Sequence, residues 1–477
     1  MGLKQLAVKG VKWNIVSTVS CTLIQLLRLA ILTRLLEKAD FGVVAIGMMV
    51  ISFTEIFSEL GMTVGIIHKQ DITENQYSSV YWMNVMMSIV MFGLLWLVSP
   101  LLAIFYKEPI LSKIIPLFGI QILCNAFGKM FQTIKSKNLE YSFISIVRIL
   151  SCVVGFICTV VFALLGWGVY SLVWGQIIQI ALNQGIYAIK GHKQIRINFH
   201  FNFTEIKDFV KIGSYRLGSQ VLDFVSSKID VFLIGRYFGM DDLGVYNIAK
   251  DLIVRPCTVV NSLVSSVGAS VFAKIQQEIE TVKKSFKSIV NLASLVCIPI
   301  YVAAFIFADA IVAVLYAPSF TSVAIFIRIL ALYGIETCID SQAGMLQVAF
   351  GRTDLGFMWT IIRVVLSVIA ILIASLFDIY AVAYGQLIIS VLSFFIFWYI
   401  VIWQITSIRM SEYFGAFREP LFVSVIIGIP FMIAVCFIHT IWIQLAFAVL
   451  FFALYFGYYW FFKKTYTQGV LSLIIKK

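Results

Sequence analysis

Fourteen runs of about 20 apolar residues follow one another along the chain, near residues 12–33, 41–66, 79–105, 114–134, 143–165, 168–189, 210–235, 243–271, 288–313, 321–349, 357–377, 380–404, 420–438 and 441–462. Wound as a helix, a run of that length crosses the hydrocarbon core of a bilayer. Lipid offers no partner to an open peptide group, so each run has to satisfy its backbone internally. The expected fold class is therefore all-α, a polytopic membrane protein with about 14 transmembrane helices. Only 13% of the residues are charged, against about 25% in soluble domains, which excludes a water-soluble fold.

The remaining charges are sorted by side. The chain carries 36 Lys and Arg against 24 Asp and Glu, a net +12, which in a soluble protein would suggest nucleic acid as a partner. Here no nucleic acid is expected, because the cations occupy alternate loops. With the N-terminus in the cytoplasm, 23 Lys and Arg fall in cytoplasmic segments and five (Arg34, Lys38, Lys107, Lys113 and Arg236) on the opposite side. Lys and Arg hold loops in the cytoplasm, and a missed span would scramble every later loop, so both termini are expected there. Lys4, Lys9 and Lys12 ahead of the first apolar run mimic a signal peptide, but no small-residue cleavage site follows and the run reads as the first membrane helix. The longest loop, 190–209 (KGHKQIRINFHFNFTEIKDF), is basic and mildly amphipathic. It reads as a connector that either lies on the anionic inner leaflet or is merely solvated.

The chain repeats itself. RLLEKADFGVV (Arg34 to Val44) matches RYFGMDDLGVY (Arg236 to Tyr246) at a shift of 202, pairing Arg34 with Arg236, Asp40 with Asp242 and Gly42 with Gly244. YSLVWGQII from Tyr170 matches YAVAYGQLI from Tyr380, and the segment ending at Arg148 resembles the one ending at Arg363. Three matches in one order at nearly constant offset give two lobes of six helices, residues 1–200 and 201–405, and a terminal helix pair with its tail, 406–477. Six is even, so the second lobe starts on the same side as the first. Parallel repeats about an axis along the membrane normal favour a central cavity and alternating access.

Of the charges in the runs, eight cations (Arg28, Arg148, Arg216, Lys228, Lys250, Arg255, Arg328, Arg363) and seven acids (Glu55, Glu59, Asp223, Asp230, Asp251, Glu336, Asp340) are read as lying inside the bilayer. A charge at a helix centre costs at least roughly 2.5 kcal/mol, so these groups must pair or line water. Asn14, Thr18, Cys21, Gln25 and Arg28 form one stripe on the first helix. Glu55 and Glu59 are one turn apart, as are Glu336 and Asp340, while Arg216, Asp223 and Asp230 recur every two turns. The polar faces of helices one, two, seven, eight and ten are expected to converge. The plainer reading is a set of structural ion pairs. Against it, Arg28, Arg255 and Arg328 are read as having no opposite charge one turn away. An arginine fork suits phosphate oxygens, so a cationic cavity for an anionic ligand is the sharper reading. The eight cysteines stand singly in apolar runs and the four histidines are scattered, so neither a disulfide frame nor a metal site is expected.

KQLAVKGVKW (Lys4 to Trp13), ILTRLLEKADFGVVAIG (Ile31 to Gly47) and the helix pattern to about residue 405 resemble the Wzx-type polysaccharide flippases of the multidrug/oligosaccharidyl-lipid/polysaccharide exporter superfamily, in the branch similar to the colanic acid flippase. The resemblance implies two six-helix lobes around a V-shaped cavity in the bacterial inner membrane and a polyprenyl-pyrophosphate-linked (undecaprenyl) oligosaccharide as cargo. It implies work alongside membrane lipids and a polysaccharide polymerase machinery, with no cofactor beyond a coupling H+ or Na+. Cavity cations would hold the pyrophosphate, a role carried as a class onto Arg28, Arg216, Arg255 and Arg328. Glu55, Glu59, Asp223, Asp230, Glu336 and Asp340 would serve coupling or gating. The terminal pair, 420–438 and 441–462, departs from twelve-helix relatives and resembles the peptidoglycan lipid flippases; free of charge, it is expected to face lipid or guide a prenyl tail. No G-x-x-x-x-G-K-[ST] loop occurs, and no acidic metal site suggests a glycosyltransferase, so an enzyme is not expected. The rival is a cation-coupled drug or metabolite antiporter of the same superfamily, which would favour acids and aromatics over arginines.

Overall fold

A computed structural model describes residues 3–59, 65–67, 69, 71–275, 277–438 and 440–462. Among these the chain is helical, with no strand. The helices are α1 (Leu3–Leu32), α2 (Lys38–Glu59), α3 (Glu74–Tyr106), α4 (Leu111–Lys137), α5 (Tyr141–Leu164), α6 (Val169–His192), α7 (Phe203–Tyr237), α8 (Met240–Ile275), α9 (Ile279–Ile306), α10 (Ala308–Leu315), α11 (Val323–Asp340), α12 (Gly344–Ala349), α13 (Thr353–Ala374), α14 (Ile379–Phe397), α15 (Met410–Phe437) and α16 (Ile441–Phe462). Every apolar run of the sequence coincides with one or two of them. Among the described residues ten helices are long and apolar enough to cross a membrane by length and composition. The other long ones are α6, with its glutamines, and α7, α8 and α11, which hold ten of the fifteen charges read as lying inside the bilayer.

Local signals set the ends. Thr73 and Gln76 form a reciprocal cap at α3, each side chain bonded to the other's backbone N–H at 3.3 Å. Asn202 caps α7 by accepting from the Thr204 N–H at 3.0 Å. The turn into α6 runs through Gly166 and Gly168, both at positive φ, a conformation that a Cβ opposes.

Three elements differ from the sequence reading. The run 288–313 is two helices, broken at Phe307, and the break sets Asp309 of α10 against Arg328 of α11. The run 321–349 bends through a 3₁₀ turn, Ser341–Ala343, where the buried Gln342 amide donates to the Cys338 carbonyl at 3.0 Å and to Asn261 Oδ1 at 2.7 Å. A side chain drawn into the ladder is a regular cause of such a bend. α15 starts at Met410, earlier than the apolar run, and so carries Glu412, Arg418 and Glu419.

By packing, the chain forms two compact units, residues 1–247 with 371–379, and residues 248–370 with 380–477. In the first, α1 lies on α5, α3 on α4, and α6 on both α4 and α5, while α2 contacts α4 and α7. The starts of α2 and α8 meet backbone to backbone. A Cβ on Gly42 would collide with the Met240 carbonyl, and a Cβ on Gly244 with the Lys38 carbonyl. The shift of 202 that relates Gly42 to Gly244 also relates Lys38 to Met240, so the two contacts are one contact made twice. Asp40, Asp241 and Asp242 sit in the first turns of these two helices, where negative charge offsets two adjacent positive dipole ends.

In the second unit α9 is central, packed on α11 and α15. α16 joins it through Phe451, which clusters with Phe431 of α15 and with Ala303 and Phe307, and through Tyr455 and Tyr459 with Leu295. The Tyr455 hydroxyl donates to the Leu295 carbonyl at 3.2 Å, and Asn291 Nδ2 to the Ala416 carbonyl at 2.7 Å. The terminal pair is thus fastened to α9 on one side. Large apolar side chains such as Ile426, Phe437, Val449 and Phe461 are exposed on the other, the surface a bilayer covers.

Candidate functional site

Charges inside the bundle are built from helix spacing. On α2, Glu55 and Glu59 stand one turn apart and face α4: Asn125 Nδ2 donates to Glu55 Oε1 at 2.8 Å, and Lys129 Nζ pairs with Glu59 Oε1 at 3.0 Å. Both contacts advance four residues in the same direction, so α2 and α4 run parallel, as α3 returning between them requires. Lys129, counted above with the cytoplasmic loops, therefore belongs to this ladder. It and Glu59 remain over a third exposed, at 36% and 38%, so the pair is open to water or ligand on one side.

The polar stripe of α1 divides. Thr18 and Cys21 are buried against α5, where Arg148 donates to Thr18 Oγ1 at 3.5 Å and its carbonyl receives the Cys21 thiol at 3.9 Å. For these two residues the expected convergence with helices two and seven is corrected; they serve the α1–α5 contact. Arg28, two turns on from Cys21, is half-buried. On α7, Asp230 is sealed, accepting from the Tyr246 hydroxyl at 2.6 Å and from the Val231 N–H at 2.8 Å. Asp223, two turns earlier, is exposed. The side chain of Arg216 lies outside the described residues, as do residues 60–64 and the tail beyond 462.

In the second unit, Arg255 binds Asp251 at 3.1 Å along one turn of α8. That corrects the reading of Arg255 as lacking a carboxylate one turn away; the i,i+4 spacing was present in the sequence. Arg328 pairs with Asp309, which is 19 residues away and on another helix. In both pairs the acid is the more exposed partner, 60% for Asp251 against 19% for Arg255, and 58% for Asp309 against 36% for Arg328. Glu336 and Asp340 are partly buried together on α11; Tyr413 donates to Asp340 Oδ1 at 3.3 Å, and Arg363 of α13 acts electrostatically on both carboxylates.

Arg255 and Arg328 lie at different distances from the starts of their own helices. Arg28 lies four residues from the end of α1, Arg328 five from the start of α11 and Arg255 fifteen from the start of α8, or about 6, 7 and 22 Å at 1.5 Å per residue. Asn125, Lys129, Tyr246, Asp309 and Tyr413 are polar partners that the sequence reading did not single out. Each sits on a different helix from the charge it meets, where periodicity gives no signal. Among the described residues no group of His, Cys, Asp and Glu is placed to hold a metal ion.

Comparison with known proteins fits this architecture. The chain is 26% identical over 423 residues to the teichuronic acid biosynthesis protein TuaB of Bacillus subtilis, covering 88% of this chain and 87% of that protein. It is 21% identical over 425 residues to the lipopolysaccharide biosynthesis protein WzxC of Escherichia coli, covering 89% and 86%. In three dimensions it superposes on the lipid II flippase MurJ in an inward closed conformation with a TM-score of 0.75 at 14% identity, over 93% of this chain and 98% of that one, and the fold extends to transporters of the MOP superfamily. Residues 31–325 match the family of polysaccharide biosynthesis proteins, and the chain belongs to that family as a multi-pass membrane protein.

Proposed function

We propose that the protein is a flippase that carries a polyprenyl-pyrophosphate-linked oligosaccharide across the bacterial inner membrane by alternating access, both termini being cytoplasmic, and hands it to the machinery that polymerises a surface polysaccharide. The observation that supports this reading is the form of the charge pairs at Arg255 and Arg328. Each arginine is held by a carboxylate more exposed than itself, so an incoming pyrophosphate can take the place of the acid without leaving the guanidinium unpaired. The arginine fork gives a phosphate paired charge-assisted bonds that a lysine does not. Two such arginines, at different distances from the starts of their helices, give a moving anion successive partners instead of one deep trap. The Glu336–Asp340 pair, beside Arg363 and Tyr413, is where a coupling H+ or Na+ would act, and Glu55, Glu59, Asp223 and Asp230 are assigned to gating.

The test is transport of a lipid-linked oligosaccharide in proteoliposomes alongside melting temperature. One charge-assisted bond is worth about 1.5–3 kcal/mol. Arg255→Ala and Arg328→Ala should therefore slow transport by about tenfold or more at near-normal melting temperature, and the Lys variants should keep part of it. Normal transport by both Ala variants, or loss only in step with stability, would remove the proposed anion path. A cationic drug carried in place of the glycolipid would favour the antiporter.

A further inference from the structure

The connector between α6 and α7 is not helical, and its sequence alternates strictly: IRINFHFNF from Ile195 to Phe203. In extended chain such alternation sends Ile195, Ile197, Phe199 and Phe201 to one side, and Phe203 follows as the first residue of α7. Ile195 and Ile197 tuck against the cluster of Tyr81, Phe131 and Tyr187. The three phenylalanines do not; Phe199 is 96% exposed, Phe201 46% and Phe203 53%.

The strap is nonetheless fixed. The N–H groups of Asn198 and Asn202 donate to the hydroxyls of Ser78 and Ser79 at 3.0 and 3.1 Å, Trp82 Nε1 donates to the Asn198 carbonyl at 2.9 Å, and Phe199 stacks on Trp82 with centroids 5.0 Å apart. Glu205 takes the Ser79 hydroxyl at 3.0 Å and the His200 ring at 3.1 Å. His200, with Ser79, holds its carboxyl below the usual carboxylate range. The one acid between residues 190 and 207 is thus engaged in fastening the strap to the first turns of α3. Facing outward are the phenylalanine rings and four exposed cations, Lys190, Lys193, Arg196 and Lys207.

We propose that this strap is a docking surface for anionic phospholipid headgroups in the adjoining leaflet, with the Phe199, Phe201 and Phe203 rings in the interfacial layer and the cations among the phosphates. Aromatic rings concentrate at that depth, long basic side chains reach past apolar surface to the headgroups, and a basic juxtamembrane segment is drawn to negative lipid. The strap lies where α3 begins and α6 ends, so a bilayer surface is at hand without any further partner. The inference rests on the membrane placement and is independent of the cargo.

The full chain, carrying a photocrosslinking phenylalanine analogue at position 199, is placed in nanodiscs of phosphatidylcholine with one-fifth phosphatidylglycerol, irradiated and analysed by mass spectrometry. The expected adducts are lipid, with phosphatidylglycerol at least threefold above its share. Enrichment should fall to the lipid's share in Lys193→Gln/Arg196→Gln and in about 1 M salt, where the screening length shrinks to ~3 Å. The salt arm decides by itself if the double variant fails to fold. Adducts in simple proportion to composition, enrichment indifferent to salt, absence of lipid adducts, or capture of a protein instead would each overturn the proposal.

Discussion

At the scale of single residues, burial decides what a charged group is worth. Lys129 and Glu59 are both more than a third exposed, and such a pair contributes ~1 kcal/mol or less. Lys129→Gln should accordingly leave the melting temperature of the purified protein nearly unchanged, and the exchange Glu59→Lys/Lys129→Glu should melt like the parent. Asp230 is the opposite case. It is fully sealed, with the Tyr246 hydroxyl at 2.6 Å, and weakening the satisfaction of a buried acceptor costs about 1–3 kcal/mol. Tyr246→Phe should therefore lower the melting temperature clearly more than Lys129→Gln; the reverse order would mean that exposure does not rank these groups. The sequence displayed the charges but not their partners. Glu55 and Asn125 are 70 residues apart, and helical periodicity says which face a side chain occupies without saying which helix lies opposite. Arg148 and Arg363 show the same limit. They match in the repeat, yet one meets a threonine on α1 and the other acts on two carboxylates of α11.

At the scale of elements, the apolar runs located the helices because lipid permits little else, whereas the breaks at Phe307 and Ser341 go with tertiary contacts, Asp309 to Arg328 and Gln342 to Asn261, that left no mark in hydropathy. Small residues carry the closest helix contacts in such bundles. At Gly42 and Gly244 the clash would be with carbonyl groups, which cannot swing aside as a side chain can. Overpacking of this kind costs typically 1–3 kcal/mol. Gly42→Ala and Gly244→Ala should both reduce folded yield and melting temperature, and by similar amounts, since the two contacts are reciprocal. Marked harm from one and none from the other would show that the two contacts differ in energy despite their matching geometry.

At the scale of the whole molecule, the sidedness of the loops is the part of the argument that charge counting carries alone, and it is open to direct measurement. A membrane-impermeant thiol reagent applied to intact cells should reach cysteines placed at Lys38, Lys107 or Asp241, and should reach those placed at Lys137, Lys193 or Lys284 only after permeabilisation. Labelling of position 193 or 284 from outside would overturn the assignment of sides. The doubled contact of Gly42 with Met240 and Gly244 with Lys38 bears on ancestry. Two copies of one six-helix protein meeting across a twofold axis would touch in this way, each offering the other the same patch. With the six crossings per repeat that the sequence predicts, the chain would return to its starting side, and copies joined end to end would keep the orientation of free subunits. Such a fusion would fix the pairing at one to one whatever the level of expression, and would free each copy to diverge. The side chains differ at the matching positions Lys38 and Met240, where only the backbone takes part, and are alike at Gly42 and Gly244, where a Cβ would collide.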